Sequence, residues 1–115
     1  MSRDLETFAE QLQQSWSPAT STLWTLANPA RGQCGVTALV VQDHLGGAIV
    51  KTMVDGRWHF YNLVGGSRVD FTACQFDEPL DYQDIPSNRT EAFSDTNADQ
   101  YGALSARIGS LQARG

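Results

Sequence analysis

Apolar positions recur along this chain at two periods, and the switches between them divide it into elements. Leu5, Phe8, Ala9 and Leu12 follow the spacing of one helix face, with Asp4 and Glu6 in the first turn, where the helix dipole favours carboxylates. The pattern predicts a helix over 3–15. Ser17-Pro18 ends it, because the residue before a proline avoids helical geometry. Val36, Leu39 and Val40 predict a second helix over 34–45 that closes near Asp43-His44. The β-branched Val36, Val40 and Val41 would also suit a strand, but the length and the Gly46-Gly47 stop favour a helix. The period then shortens to two. Ala48–Val54 and Arg57–Val64 flank Asp55-Gly56, and Ser67–Thr72 follows Gly65-Gly66, so the three segments read as an antiparallel meander. Tyr101, Leu104, Ile108 and Leu111 return to helical spacing and predict a last helix over 97–112, with Thr96 as N-cap and Asp99 three residues on.

Two stretches carry neither period. Residues 17–33 form a long connection that leads straight into Cys34, and long irregular segments inside small domains are often functional. Residues 77–96, with Pro79 and Pro86, read as loop. The expectation is a single α+β domain over 1–115, with N-terminal helices packed on a small antiparallel sheet and a helix at the C-terminal end. No repeat or linker interrupts it.

Composition narrows the function classes. With 41% hydrophobic and 18% charged residues, the chain of 115 residues can fold on its own core. Eight Lys and Arg against thirteen Asp and Glu leave a net charge of −5 and no basic cluster, which argues against nucleic acid as a partner. No apolar run approaches a membrane span, and the first residues are polar, so the expectation is a cytoplasmic protein with reduced thiols and no membrane partner. Formation of a homo-oligomer stays open.

The chemistry-bearing residues appear in the order Cys34, His59, Asp70. A thiol, an imidazole and a carboxylate are the attacker, base and orienter of a cysteine nucleophile. Cys34 falls at a helix start after a glycine-containing turn, where free N–H groups and the dipole favour a thiolate. If Gly65-Gly66 is a two-residue turn, Val64 faces Ser67, Asn62 faces Val69 and Tyr61 faces Asp70. His59, Tyr61, Asp70 and Thr72 then share one face and Asp70 is the diagonal neighbour of His59. Asn62 falls on the other face, so Asp70 is the expected orienting group. Donors for an oxyanion would be the Cys34 N–H together with a side-chain amide, Asn28 or Gln33. Trp24, Trp58 and Tyr61 are candidates for the wall of a substrate cleft, with core packing as the competing role.

Each residue also has a plainer reading. A lone cysteine is commonly a small buried hydrophobe, and His59 can be a satisfied structural histidine. His44 reads as a helix-end cap, and Cys74 as a core or edge residue. A Cys34–Cys74 disulfide is disfavoured in a reducing compartment. A zinc ion on Cys34, His59 and Asp70 lacks the close ligand pairs that usually anchor one, so neither metal nor cofactor is expected. Two functional classes follow: an enzyme acting on the carbonyl of a small-molecule or peptide amide, and a non-catalytic binding or regulatory module built on the same framework.

A cysteine at a helix start followed by His and Asp on successive antiparallel strands resembles the papain-like and transglutaminase-like cysteine enzymes. Trp58-His59-Phe60-Tyr61 and Val69-Asp70-Phe71-Thr72 are similar to the His and Asp strands of the transglutaminase-like branch. Asn28 stands six residues before Cys34, like the oxyanion glutamine of papain-like enzymes. The longer string Asn28-Pro29-Ala30, Gly32-Gln33-Cys34, Val36 to Asp43, Gly46-Gly47, His59 to Asn62, Val69 to Thr72 and Gln75-Phe76 resembles the YunG-like family over most of the chain from Trp24 to Tyr101. The resemblance implies a papain-like core and cysteine-dependent acyl transfer (amide hydrolysis, deamidation or amine transfer) but no particular substrate.

Overall fold

The computed structural model describes residues 3–114. Its elements, in chain order, are α1 (Arg3–Ser15), α2 (Cys34–Leu45), β1 (Ala48–Val54), β2 (Arg57–Val64), β3 (Ser67–Val69), a 3-10 turn (Ala73–Gln75), β4 (Ile85–Pro86), α3 (Arg89–Phe93) and α4 (Ala98–Arg114). The four strands form one antiparallel sheet in the order β3-β2-β1-β4. The architecture is α+β, with helices packed on a small sheet.

Helix α2 is the centre of the molecule. Its first eight residues, Cys34–Val41, are all buried. A helix apolar on every side has to be enclosed on every side, and α2 is: it contacts β1, β2, α3 and α4. On one flank Val36, Val40 and Val41 join Phe8, Leu12 and Trp16 of the N-terminal region and Leu104 and Ile108 of α4. On the other, Ala38 and Leu39 meet Ile49, Phe60 and Ala92. Buried polar groups stitch these layers together. Trp16 Nε1 donates to Thr37 Oγ1 at 3.0 Å, and Asn62 Nδ2 donates to the Ala38 carbonyl at 3.1 Å. Asn62 therefore stands on the helix-facing side of the sheet, opposite to His59, as the alternation of β2 requires.

Three features depart from the periodic reading. The third strand, expected to reach Thr72, stops at Val69. The register is the expected one, Asn62 facing Val69 and Val64 facing Ser67, but Asp70 Oδ1 accepts from Thr72 N and Thr72 Oγ1, at 3.2 and 3.3 Å. That side-chain turn competes with the ladder and diverts the chain into the 3-10 turn. The stretch expected as loop over 77–96 contains β4 and α3. Asn88 Oδ1 caps α3 by accepting from Glu91 N at 2.9 Å, and Pro86 is tolerated because β4 is an edge strand. The last helix is capped by Asn97, whose Oδ1 accepts from Gln100 N at 2.8 Å, one residue after the expected Thr96.

The connection over 17–33 has no helix or strand but is held by its own turns, with Thr20, Ser21 and Ala30 buried. Gly32 has φ +75°, and a Cβ there would lie 2.5 Å from Ser21 Oγ, so only glycine lets the loop close on itself before α2 begins. No helix among the described residues is long and apolar enough to cross a membrane.

Candidate active site

The early end of β3 leaves the Arg57–Tyr61 part of β2 without a strand on that side. A cleft of about 630 Å³ lies along this part of the sheet. Its wall includes Cys34 and His59, together with Asp95, Gln75, Trp58 and Phe76. Cys34 comes from the first turn of α2, His59 from β2, and Asp95 from the link between α3 and α4.

His59 Nε2 lies 2.7 Å from Asp70 Oδ2, and both side chains are almost fully buried. Tyr82 Oη donates to the same carboxylate oxygen at 2.8 Å. A carboxylate only accepts, so the proton of the His59–Asp70 hydrogen bond sits on Nε2, and the lone pair of the neutral ring sits on Nδ1. Nδ1 is buried and has no partner within the protein. The ring is clamped on two further sides: it stacks on Tyr61 at 5.8 Å and meets the edge of Phe76 at 5.1 Å. An imidazole with one nitrogen tied to a carboxylate and the other left free is the arrangement a general base requires.

The thiol is in a different electrostatic state from the one its helix position implies. Cys34 Sγ donates to Asp95 Oδ2 at 3.4 Å, and the same oxygen accepts from Gly35 N at 3.1 Å. Burial and the Asp95 carboxylate push the Cys34 thiol well above the usual range; a hydrogen bond from the Phe60 main chain pulls the other way but is outweighed. The helix start is thus already met by a carboxyl group, that of Asp95. Asp95 is exposed on its outer side, yet burial of its inner side raises its carboxyl pKa against the lowering pull of Cys34 and Gly35. Gly35 makes the approach possible: a Cβ there would lie 2.6 Å from Asp95 Oδ2 and 2.9 Å from the Ala92 carbonyl.

The remaining expected residues divide. Trp58 lines the cleft, half open to solvent, with Lys51 Nζ 4.3 Å from its ring centre. Tyr61 is 1% exposed, lies outside the cleft wall and gives its hydroxyl to Asp84 at 2.7 Å; burial raises its pKa to about 12. Its ring stacks on His59. Trp24 packs against the α1–α2–α4 core, outside the cleft wall. Asn28 also lies outside the wall, and its Nδ2 donates to the Gln75 carbonyl at 3.0 Å. Gln33 is fully buried, with both amide atoms unpartnered, as the residue before α2. The oxyanion donors expected from Asn28 and Gln33 are therefore absent from the cleft wall, because the loop turns both amides toward the protein.

Cys34 and Cys74 are free thiols, the second exposed. His44 stands in the last turn of α2 and packs on Phe8 at 5.4 Å. Among the described residues no three His, Cys, Asp or Glu side chains form a metal-holding group. Asp95 had no local signal, and Gln75 had none beyond its place in the Gln75-Phe76 pair of the family resemblance. Each meets the site through a contact across more than forty positions, and the glycine at position 35 is the one trace of Asp95 near the cysteine.

The class this defines is an α+β protein with a cysteine at the start of its central helix and a His–Asp pair at an open strand edge. The chain belongs to the YunG protein family, whose profile matches residues 4–112. It is similar to the uncharacterized protein YunG of Bacillus subtilis (strain 168), with 60% identity over 93 residues, covering 81% of each chain. No solved structure matches it.

Proposed function

We propose that this protein is a cysteine-dependent acyl-transfer enzyme on a minimal papain-like or transglutaminase-like core, with Cys34 as nucleophile, His59 as general base and Asp70 as orienting carboxylate. The observation that carries the reading is the 2.7 Å His59–Asp70 contact, which leaves Nδ1 buried and unpartnered on a residue that lines the same cleft as Cys34.

His59 Nδ1 takes the thiol proton, and the sulfur pair forms an S–C bond to a carbonyl carbon while the C=O pair moves onto oxygen. As C=O re-forms, the C–N or C–O bond breaks and the imidazolium returns its proton to the leaving group. Water or an amine then attacks the thioester and His59 takes its proton; as C=O re-forms the C–S bond breaks, and the thiolate recovers the proton from the imidazolium. Hydrolysis, deamidation and amine transfer share the first half and differ in the group expelled or accepted.

A second reading has an observation of its own. A thiol that is buried, 8% exposed and held protonated by burial and a carboxylate suits a structural cysteine in a non-catalytic binding or regulatory module. Acylation separates the two. Under the enzyme reading, an activated acetate ester (p-nitrophenyl acetate) places its acyl group on Cys34, mapped by peptide mass, His59→Ala slows this at least ~100-fold, and Cys34→Ser melts like the parent. Acylation of exposed Cys74 alone, with a lower melting temperature for Cys34→Ser, decides for the module.

A further inference from the structure

Gln75 is clasped to the loop before the nucleophile at two points. Its main-chain carbonyl accepts from Asn28 Nδ2 at 3.0 Å, and its side-chain Oε1 accepts from Gly32 N at 3.3 Å, two residues before Cys34. The oxygen end of the amide is thereby engaged. The nitrogen end is buried and has no partner. A buried amide donor without an acceptor is unfavourable by roughly 1–3 kcal/mol, and native proteins keep few of them. This one belongs to a residue in the wall of the cleft that holds the thiol and the imidazole.

We infer that Gln75 is the side-chain donor to the carbonyl oxygen of the acyl substrate, and that Asn28 is the positioning residue that holds it there. The inference rests on the acyl-transfer reading. As sulfur bonds to the carbonyl carbon and the C=O pair moves onto oxygen, Gln75 Nε2–H donates to that oxygen. When C=O re-forms and the leaving group departs with the His59 proton, the bond relaxes. The soft terminal torsion of the glutamine side chain lets the nitrogen turn to the oxygen. The role follows from chain geometry: the loop before Cys34 turns its own amides inward, and Asn28 uses its amide to fix the residue that supplies the donor instead.

The test compares two thiol reactions in the full chain. Acylation by p-nitrophenyl acetate passes through an oxyanion; disulfide formation with methyl methanethiosulfonate does not. The readout is the ratio of the two Cys34 rates within each variant, which cancels changes in thiolate population. Gln75→Met removes the donor at nearly constant size. Gln75→Glu keeps an acceptor for Gly32 N and removes the amide donor, so it carries the test if the first variant fails to fold. Loss of an oxyanion donor is expected to lower the ratio by about 100-fold or more, while Asn28→Ala gives a smaller fall in the same direction. A ratio equal to the parent's in the folded Gln75 variants overturns the inference and leaves the acyl-transfer reading standing. A parent chain that forms the disulfide but never the acyl-enzyme overturns that reading, and this inference with it.

Discussion

Burial holds the Cys34 thiol protonated and Asp95 adds to that hold, so removing the Asp95 charge has a readable effect. Asp95→Asn keeps the side-chain oxygen that Gly35 N–H bonds but deletes the charge facing Cys34. The Cys34 pKa falls, and each unit of that fall raises the thiolate fraction at neutral pH about tenfold. Iodoacetamide labelling of Cys34, resolved from Cys74 by peptide mass, should therefore accelerate. The same variant reports on stability. Asp95 has a raised carboxyl pKa in the folded state, so its contribution is favourable below its unfolded pKa and is lost as pH rises through the folded one. The ionised side chain is less favourable in the folded than in the unfolded chain, so Asp95→Asn should melt higher than the parent once the pH exceeds the folded pKa and lose that advantage in acid, where both chains are neutral at this site. An unchanged melting temperature at neutral pH, with unchanged labelling, would show that the carboxylate does not govern the thiol. At this scale Cys34, His59 and Asp70 were legible, because strand alternation and one hairpin register put the last two on one face. Asp95 was not: its approach depends on how two helices pack, which no local pattern encodes.

At the level of elements, turns and caps decide where patterns stop. The meander and its register followed from Asp55-Gly56 and Gly65-Gly66, yet the third strand ended early because the Asp70 side chain bonded Thr72 instead of leaving its N–H to the ladder. The same carboxylate that holds His59 thus ends the strand that would have covered it. Helix α3 was hidden in a polar, proline-bearing stretch whose composition resembles a loop. Its signal was present in Asn88-Arg89-Thr90-Glu91, a cap residue with an acid three positions on, but five residues give too little periodicity to weigh it. Asn88→Ala should destabilise the chain by about 1 kcal/mol through loss of that cap. Because α3 leads into Asp95, the thiol reactivity of Cys34 should shift with it, while an equally exposed change at Ser110, on α4, should move neither. Thermal melts and labelling rates on the same samples check both parts.

Taken whole, the molecule separates its supporting core from its cleft. The layer of Phe8, Leu12, Trp16, Leu104 and Ile108 packs on one flank of α2, whereas the cleft opens at the helix start beside β2. Leu12 is fully buried, so Leu12→Ala should lower stability by roughly 2–5 kcal/mol. It should leave the ratio of acylation to disulfide formation at Cys34 unchanged well below the melting temperature. A changed ratio would mean that the two halves are coupled through α2. The α+β arrangement was legible because amphipathic periods report burial directly. The wall of the cleft was not, since it is assembled from segments near positions 31, 57, 75 and 95 that only the complete packing brings together.

The shortness of β3 carries a consequence for anyone reshaping this protein. Lengthening that hairpin to finish the seam would satisfy more main-chain groups and stiffen the sheet. It would also draw the Asp70 segment into the ladder and pave over the gap beside the cleft that Cys34, His59 and Gln75 line. Here an incomplete border between two strands is what keeps the cleft open.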